Sequence, residues 1–285
     1  MNNNKKQHEK GNKFSSLIDN LNFYKQYLED TLENNKNEDF ISCMNEFRDF
    51  LKDACMIASG FAPIYGQFKE KDCFYIYRTF FMSSENFHER LIEITEKDNI
   101  LSKKLESATI KDYLSLDYNQ KFYNDIINEF QSIDKYLSKS KKFIMVGCGS
   151  FPLTLFYIRE KYSKLNIIGI DNSPEAIINA KMLIKKLMFS NIRFDIIDGI
   201  NYDYSDIDTV FIANLVMPKT KVLKRIAMTC KSGTIILLRV PVMYGALLSE
   251  DVNYMELQSF DLVDEVIPSK DTDDILYKLL VLEKK

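Results

Sequence analysis

Histidine is nearly absent from this sequence, with only His8 and His88 among 285 residues. A zinc site and a Ser-His-Asp triad are therefore poorly supplied. Catalysis has to run on carboxylates, tyrosines, backbone dipoles or a bound cofactor. Cysteine is sparse and unpatterned. The five, at 43, 55, 73, 148 and 230, are odd in number and form no C-x-x-C. That predicts reduced thiols in a cytoplasmic setting rather than a disulfide framework, and no resident metal site. No apolar run approaches the ~20 residues that a membrane helix needs. There is no basic excess either: the net charge is -3, which gives no electrostatic reason to expect nucleic acid. The opening Met-Asn-Asn-Asn-Lys-Lys has no hydrophobic stretch, so it reads as a frayed tail over residues 1–13 and not as a secretory signal.

What is present falls into two textures. From about residue 14 to 140 the apolar residues recur at helix spacing. Phe14, Leu17, Ile18, Leu21, Tyr24 and Leu28 form one such series, and Phe40, Ile41, Met44, Phe47 and Leu51 a second. Cys73 to Lys97 reads as a third helical stretch. Tyr118 to Leu137 is a fourth, with Ile126, Ile127, Phe130, Ile133 and Leu137 on one side. Gly60, Pro63 and Gly66 punctuate the interval between the second and third. This predicts a helical N-terminal domain over 14–140.

Beyond the Ser-Lys-Lys segment near 140 the runs shorten and become β-branched: "FIMVG", "NIIGID", "IRFDII", "DTVFIAN" and "GTIILLR". Continuous apolar runs of this length suit strands covered on both faces in a parallel sheet. Helical stretches at Pro174 to Met188 and Pro218 to Cys230 lie between some of them. The pattern predicts an α/β, Rossmann-like doubly wound sheet over 141–285. The last two runs, near Leu257 to Val266 and Ile275 to Glu283, have no helix between them and read as an antiparallel pair.

In such a sheet, ligands bind at the carboxyl ends of the strands. The loop "VGCGSFPLT", residues 146–154, follows the first strand. Gly147 and Gly149 occupy the first two positions of a G-x-G-x-x-G fingerprint, and Pro152 stands where the third glycine belongs. Pro152 suits the first turn of the next helix, where its missing N–H costs nothing. Asp171 ends the second run, 22 residues beyond Gly149, at the position of a ribose-hydroxyl ligand. Asn172 or Ser173 can cap the following helix. Asp198, at a strand end in "IIDGIN", is placed to meet an adenine amino group, and Asn214 in "IANLV" faces the same cleft. Both also read as ordinary turn residues. A nucleoside with a ribose and an amino-acid tail, and no pyrophosphate, fits this set better than a dinucleotide does. S-adenosylmethionine is such a molecule, and the closing antiparallel pair belongs to the methyltransferase version of the fold.

"VGCGSFPLT" resembles the nicotianamine synthase family, whose loop has two glycines followed by a proline and a Leu-Thr or Met-Thr pair. Its bacterial branch includes the aminobutanoyltransferases of staphylopine-type metallophore synthesis. "IIGIDNSPEAI", "LLRVPVMYGALL" and "DYNQKFYNDIINEF" are similar to the family's acidic strand end, its arginine-bearing fifth strand and its tyrosine-led segment before the sheet. The resemblance implies transfer of a 3-amino-3-carboxypropyl group from S-adenosylmethionine to an amine of a small amino-acid-like acceptor, with release of methylthioadenosine. It implies that Gly147, Gly149 and Asp171 hold the nucleoside and that Tyr118 lies near the transferring group. A general base is expected from a glutamate on an N-terminal helix. Glu89 is the first choice among Glu85, Glu89, Glu93 and Glu96, which equally read as a solvated acidic face, and His88 is an alternative occupant of that place. Arg239 either pairs with a substrate carboxylate or makes a surface salt bridge. A cyclase closing azetidine-2-carboxylate, an ordinary small-molecule methyltransferase and a non-catalytic nucleoside-binding module are the competing expectations. The acceptor and the oligomeric state are not written in the sequence.

Overall fold

Five short apolar runs become the five parallel strands of one sheet. The computed structural model describes residues 117–242, 245, 249–268 and 277–285, together with helical positions 23, 24, 26, 27, 30, 42, 46 and 50. The chain divides into two compact units, Met1–Ser59 and Gly60–Lys285. In the first, the described positions are all helical. Their aromatic rings touch, with Phe23 stacked on Tyr27 at 5.9 Å and Tyr24 against Phe50 at 5.5 Å.

In the second unit the described elements begin with helix α1 (Asp117–Ser132) and a short α2 (Asp134–Leu137). The single helix expected over 118–137 is thus interrupted at Ile133, whose φ of -109° and ψ of 10° are not helical. The sheet follows as β1 (Lys142–Val146), α3 (Leu153–Lys161), β2 (Asn166–Asp171), α4 (Pro174–Lys186), β3 (Ile192–Ile196), β4 (Thr209–Ile212), α5 (Lys219–Thr229) and β5 (Ile235–Pro241). A 3-10 turn (Tyr254–Leu257), β6 (Phe260–Val266) and β7 (Tyr277–Lys284) complete it.

The strand order is β3-β2-β1-β4-β5-β7-β6, parallel from β3 through β5. β7 then runs antiparallel between β5 and β6. The strands are apolar throughout because both faces are covered. Phe143, Met145, Phe211 and Leu237 turn to the layer shared with α1, α3 and α4. Ile144, Val146, Ile212 and Leu238 alternate to the other layer, where Val222, Leu223 and Ile226 of α5 meet them. A side-chain period of two along each strand produces this division.

Helix α1 belongs to the first layer. Phe130 packs on Phe211 of β4 at 5.6 Å and on Tyr157 of α3 at 5.8 Å. Earlier in α1, the Tyr123 hydroxyl donates to Glu160 of α3 at 2.9 Å. Beyond the helix, the hydroxyls of Ser140 and Thr209 lie 2.6 Å apart, which ties the entry to β1 to the start of β4. Among the described residues, no helix is long and apolar enough to cross a membrane.

Candidate active site at the carboxyl edge of the sheet

The strand order reverses between β1 and β4, the place where ligands bind in sheets of this kind, and the loop 147–152 lies at the carboxyl edge there. Gly147 and Gly149 both have left-handed backbones, with φ of 74° and 67°. The amides of Gly147 and Cys148 both donate to the Ile170 carbonyl of β2, at 2.9 and 3.1 Å. The two glycines are required for different reasons. A Cβ on Gly147 would come within 2.5 Å of Val216 Cγ2, so close packing as well as φ excludes a side chain. A Cβ on Gly149 would meet nothing within 4 Å. The open side of the loop is therefore at Gly149.

Asp171 holds that loop in place. One carboxylate oxygen accepts the Gly149 amide at 2.9 Å and the other accepts the Ser173 amide at 3.1 Å. Burial raises its pKa above the ordinary carboxylate value, and the amides of Ser173, Gly149 and Asn172 pull it back. Each carboxylate oxygen accepts from two directions, so lone pairs remain for ligand hydroxyls. Burial, reinforced by the charge of Asp171, pushes the Cys148 thiol well up. That thiol is thus an inert filler and not a nucleophile.

The helix starts differ from expectation by one position at the loop. Pro152 takes the cap position before α3, with φ of -80° and ψ of 61°, and does not enter the first turn. Its carbonyl accepts the amides of Leu155 and Phe156 at 2.9 and 3.1 Å. At α4 it is Ser173 that caps, accepting the Ala176 amide at 3.2 Å, with Pro174 and Glu175 in the first turn. Asn172 is exposed beside Asp171.

The remaining expected residues fall at the same edge. Asp198 follows β3, where its carboxylate accepts the Ile200 amide at 3.0 Å in a tight turn. Asn214 follows β4, and its side-chain oxygen accepts from the Ser249 hydroxyl at 2.9 Å. Next to it, Glu250 accepts the backbone amide of Lys219 at 2.7 Å, while the Lys219 ammonium donates to the Glu250 carbonyl at 2.8 Å. These contacts fasten residue 249 to the end of β4 and residue 250 to the start of α5. Tyr118 lies in the first turns of α1, its side chain outside the described residues. Glu85, His88, Glu89, Glu93 and Glu96 also lie outside the described residues.

Arg239 is not a surface residue. Its Nε donates to Glu129 of α1 at 3.0 Å and its Nη2 donates to the second oxygen of the same carboxylate. The side chains are 4% and 0% exposed, which corrects the expectation of a surface pair. The guanidinium is sandwiched between Phe211 at 4.8 Å and Tyr277 at 4.6 Å. Burial alone would depress its pKa, and the Glu129 carboxylate overrides this and holds the guanidinium charged. The two-pronged fork expected for a substrate carboxylate is thus closed on Glu129. The signal for Glu129 is in the sequence: it is the one carboxylate at helix spacing from Ile126 and Ile133, inside the apolar stripe of α1. A carboxylate there needs a buried cation, and β5 supplies it.

The strand order, the two-glycine loop tethered to an acid at the end of β2, and the antiparallel β7 define the fold of S-adenosylmethionine-dependent methyltransferases. Within that class the match is narrower. The family described as "Nicotianamine synthase protein" matches residues 98–285 of the 285. The chain belongs to the nicotianamine synthase family, and so to the transferases that use S-adenosylmethionine.

Solved structures agree at the level of the fold. The chain is similar to a glutamate-to-glutamine mutant of MtNAS with a TM-score of 0.71 and 16% identity, covering 95% of this chain and 99% of that one. The same mutant in complex with S-adenosylmethionine matches at a TM-score of 0.69, 16% identity and the same coverage. MtNAS in complex with MTA and tNA matches at 0.69 and 16%, covering 94% of this chain and 98% of that one. Among curated proteins, none matches the sequence significantly.

Proposed function

We propose that this protein transfers the 3-amino-3-carboxypropyl group of S-adenosylmethionine to an amine of a small amino-acid-like acceptor and releases methylthioadenosine. The family match carries the class of reaction. The observation that carries the donor is the loop. Gly149 is open on one side, and its amide is bonded to an Asp171 carboxylate that keeps lone pairs for ribose hydroxyls. No third glycine is needed, because a nucleoside with an amino-acid tail brings no pyrophosphate against the helix start.

In this reading Gly147, Gly149, Pro152, Asp171 and Asn172 bound the ribose and tail. Asp198 and Asn214 flank the base and the outer wall. The amine lone pair attacks the Cγ carbon of the methionine moiety. The Cγ–S bond breaks, its electron pair goes to sulfur, and the sulfonium leaves as a neutral thioether. The amine then loses one proton, for which Glu89 is the proposed base, with Glu85 and Glu93 as the neighbouring choices. Tyr118 lies beside the transferring carbon, where an aromatic face favours the sulfonium charge. Arg239 contributes through Glu129 and α1, by fixing the wall over β4 and β5. Methyl transfer and Cγ transfer use the same electrophile, so the carbon held in line with the nucleophile decides the product. A product of this type carries several amino and carboxylate groups and would chelate metal. The donor is an intracellular metabolite, which places the work in the cytoplasm.

Incubation of the purified protein with S-adenosylmethionine, with and without a panel of amino acids, tests this by mass of the products. Methylthioadenosine above a protein-free control, dependent on an added amine, is the expected result. S-adenosylhomocysteine overturns it in favour of methyl transfer. Methylthioadenosine that forms regardless of amine overturns the acceptor half in favour of self-cyclisation.

A further inference from the structure

Among the described residues, three buried side-chain polar atoms have no hydrogen-bond partner: Ser150 Oγ, Arg159 Nε and Tyr277 OH. Arg159 is explained by its other nitrogens, which donate to the carbonyls of Ser163, Leu165 and Asn191. The two hydroxyls have no such explanation. A buried hydroxyl left without a partner is costly, and native folds keep few of them.

Both stand at the carboxyl edge of the sheet. Ser150 follows Gly149 in the loop after β1 and is 1% exposed. Tyr277 opens β7 and is paired in register with Pro241, the last residue of β5. β4 and β5 intervene between β1 and β7, so with neighbouring strands ~4.8 Å apart the two strands lie roughly 14 Å from one another. That span suits a donor and an acceptor laid end to end, and exceeds a single amino-acid tail. The surroundings of Tyr277 keep its proton on. Burial raises its pKa first of all, Arg239 opposes this, and the carboxylates of Glu129 and Asp125 add to the rise. The phenol is therefore available as a donor to an incoming carboxylate and as an acceptor for an ammonium.

We propose that these two hydroxyls are substrate ligands, Ser150 for the amino-acid tail of the donor and Tyr277 for the amino-acid end of the acceptor. The assignment rests on the donor proposed above. Ser150 takes the donor because it adjoins the open side of Gly149. Tyr277 takes the acceptor because it lies across β4 and β5 from the nucleoside loop, beside the buried Arg239 and Glu129 pair.

Two conservative variants of the full chain test it, Ser150→Ala and Tyr277→Phe. Titration calorimetry uses S-adenosylmethionine and methylthioadenosine, which lacks the tail. Methylthioadenosine release is then followed against the amine that supports turnover. Ser150→Ala is expected to weaken S-adenosylmethionine about tenfold or more and to leave methylthioadenosine within about twofold. Tyr277→Phe is expected to leave both affinities unchanged and to raise the KM of the amine about tenfold. Its thermal midpoint should hold or rise, because an unpaired buried hydroxyl has gone. Equal loss for both nucleosides in Ser150→Ala, or no loss, overturns the first assignment. An unchanged amine KM in Tyr277→Phe, or a weakened S-adenosylmethionine, overturns the second. Wild-type protein that binds neither nucleoside overturns the donor reading itself, a result separable from either variant.

Discussion

Two of the buried cations among the described residues, Arg239 and Lys219, lie on opposite sides of the sheet and are treated in opposite ways. Arg239 has a carboxylate fork and two aromatic faces, and remains charged. Lys219, at the start of α5 and 0% exposed, has among the described residues a single backbone carbonyl for its ammonium. Burial pulls its pKa down to about 8, against upward pulls from Glu250 and Asp251. The first cation is locked to a partner 110 residues away in the chain, and the second is close to giving up its proton. Burial by itself thus says little about what a charge does for a fold. The partner decides.

The comparison breaks most sharply at the pair. Arg239→Met leaves the Glu129 carboxylate stranded in an apolar layer and should cost about 3–5 kcal/mol in denaturant unfolding. Adding Glu129→Leu should recover most of that loss, since a well-packed apolar pair replaces a buried ion pair at little or no cost. A double variant no more stable than Arg239→Met would mean that the pair contributes net stability.

The next effect separates the two loop glycines. Gly147→Ala must accept both a left-handed backbone and a collision with Val216, together about 2–4 kcal/mol. Gly149→Ala has the backbone term alone, about 1–2 kcal/mol, but places a methyl in the open side. Calorimetry should therefore show Gly149→Ala losing S-adenosylmethionine affinity out of proportion to its lost stability.

The smallest effect is at Lys219, and its sign is reversed. Lys219→Met removes a charge that folding has to desolvate, so the variant should be more stable than the parent near pH 7, by about 1 kcal/mol after loss of the carbonyl contact. In the parent, the unfolded chain keeps this proton up to about 10.5 while the folded chain releases it near 8. Between those values the unfolded state binds more protons, so parental stability rises with pH relative to the variant. Thermal midpoints from pH 7 to 10 should converge and then cross in favour of the parent. A constant gap would place the Lys219 ammonium in contact with solvent.

The sheet was legible because its strands are short β-branched runs covered on both sides, and all five parallel strands coincide with those runs. The antiparallel close was legible from the missing helix between the last two runs. The loop was legible from Gly147, Gly149 and Asp171, whose backbone and hydrogen bonds realise the expected strand, turn and acid arrangement. The single-residue placement of Pro152 was not, because proline is tolerated both at a cap and in a first turn. Arg239 was visible as a residue but its partner was not. Helix periodicity marks Glu129 as buried, yet nothing local says that a strand 110 residues later supplies the cation. Tyr277 had no signal at all, since an aromatic residue at the head of an apolar strand is ordinary sequence.

The place of β7 has a consequence for synthesis. It fills the slot between β5 and β6, although it follows both in the chain. A nascent chain that has emerged only as far as β6 has no β7 with which to pair either neighbour. Arg239 then has Phe211 on one side and lacks the Tyr277 ring on the other. Domains otherwise tend to assemble from the N-terminal end as they emerge. Here the slot beside the edge strand has to wait, and until β7 threads in, the facing edges of β5 and β6 stay open to any passing partner.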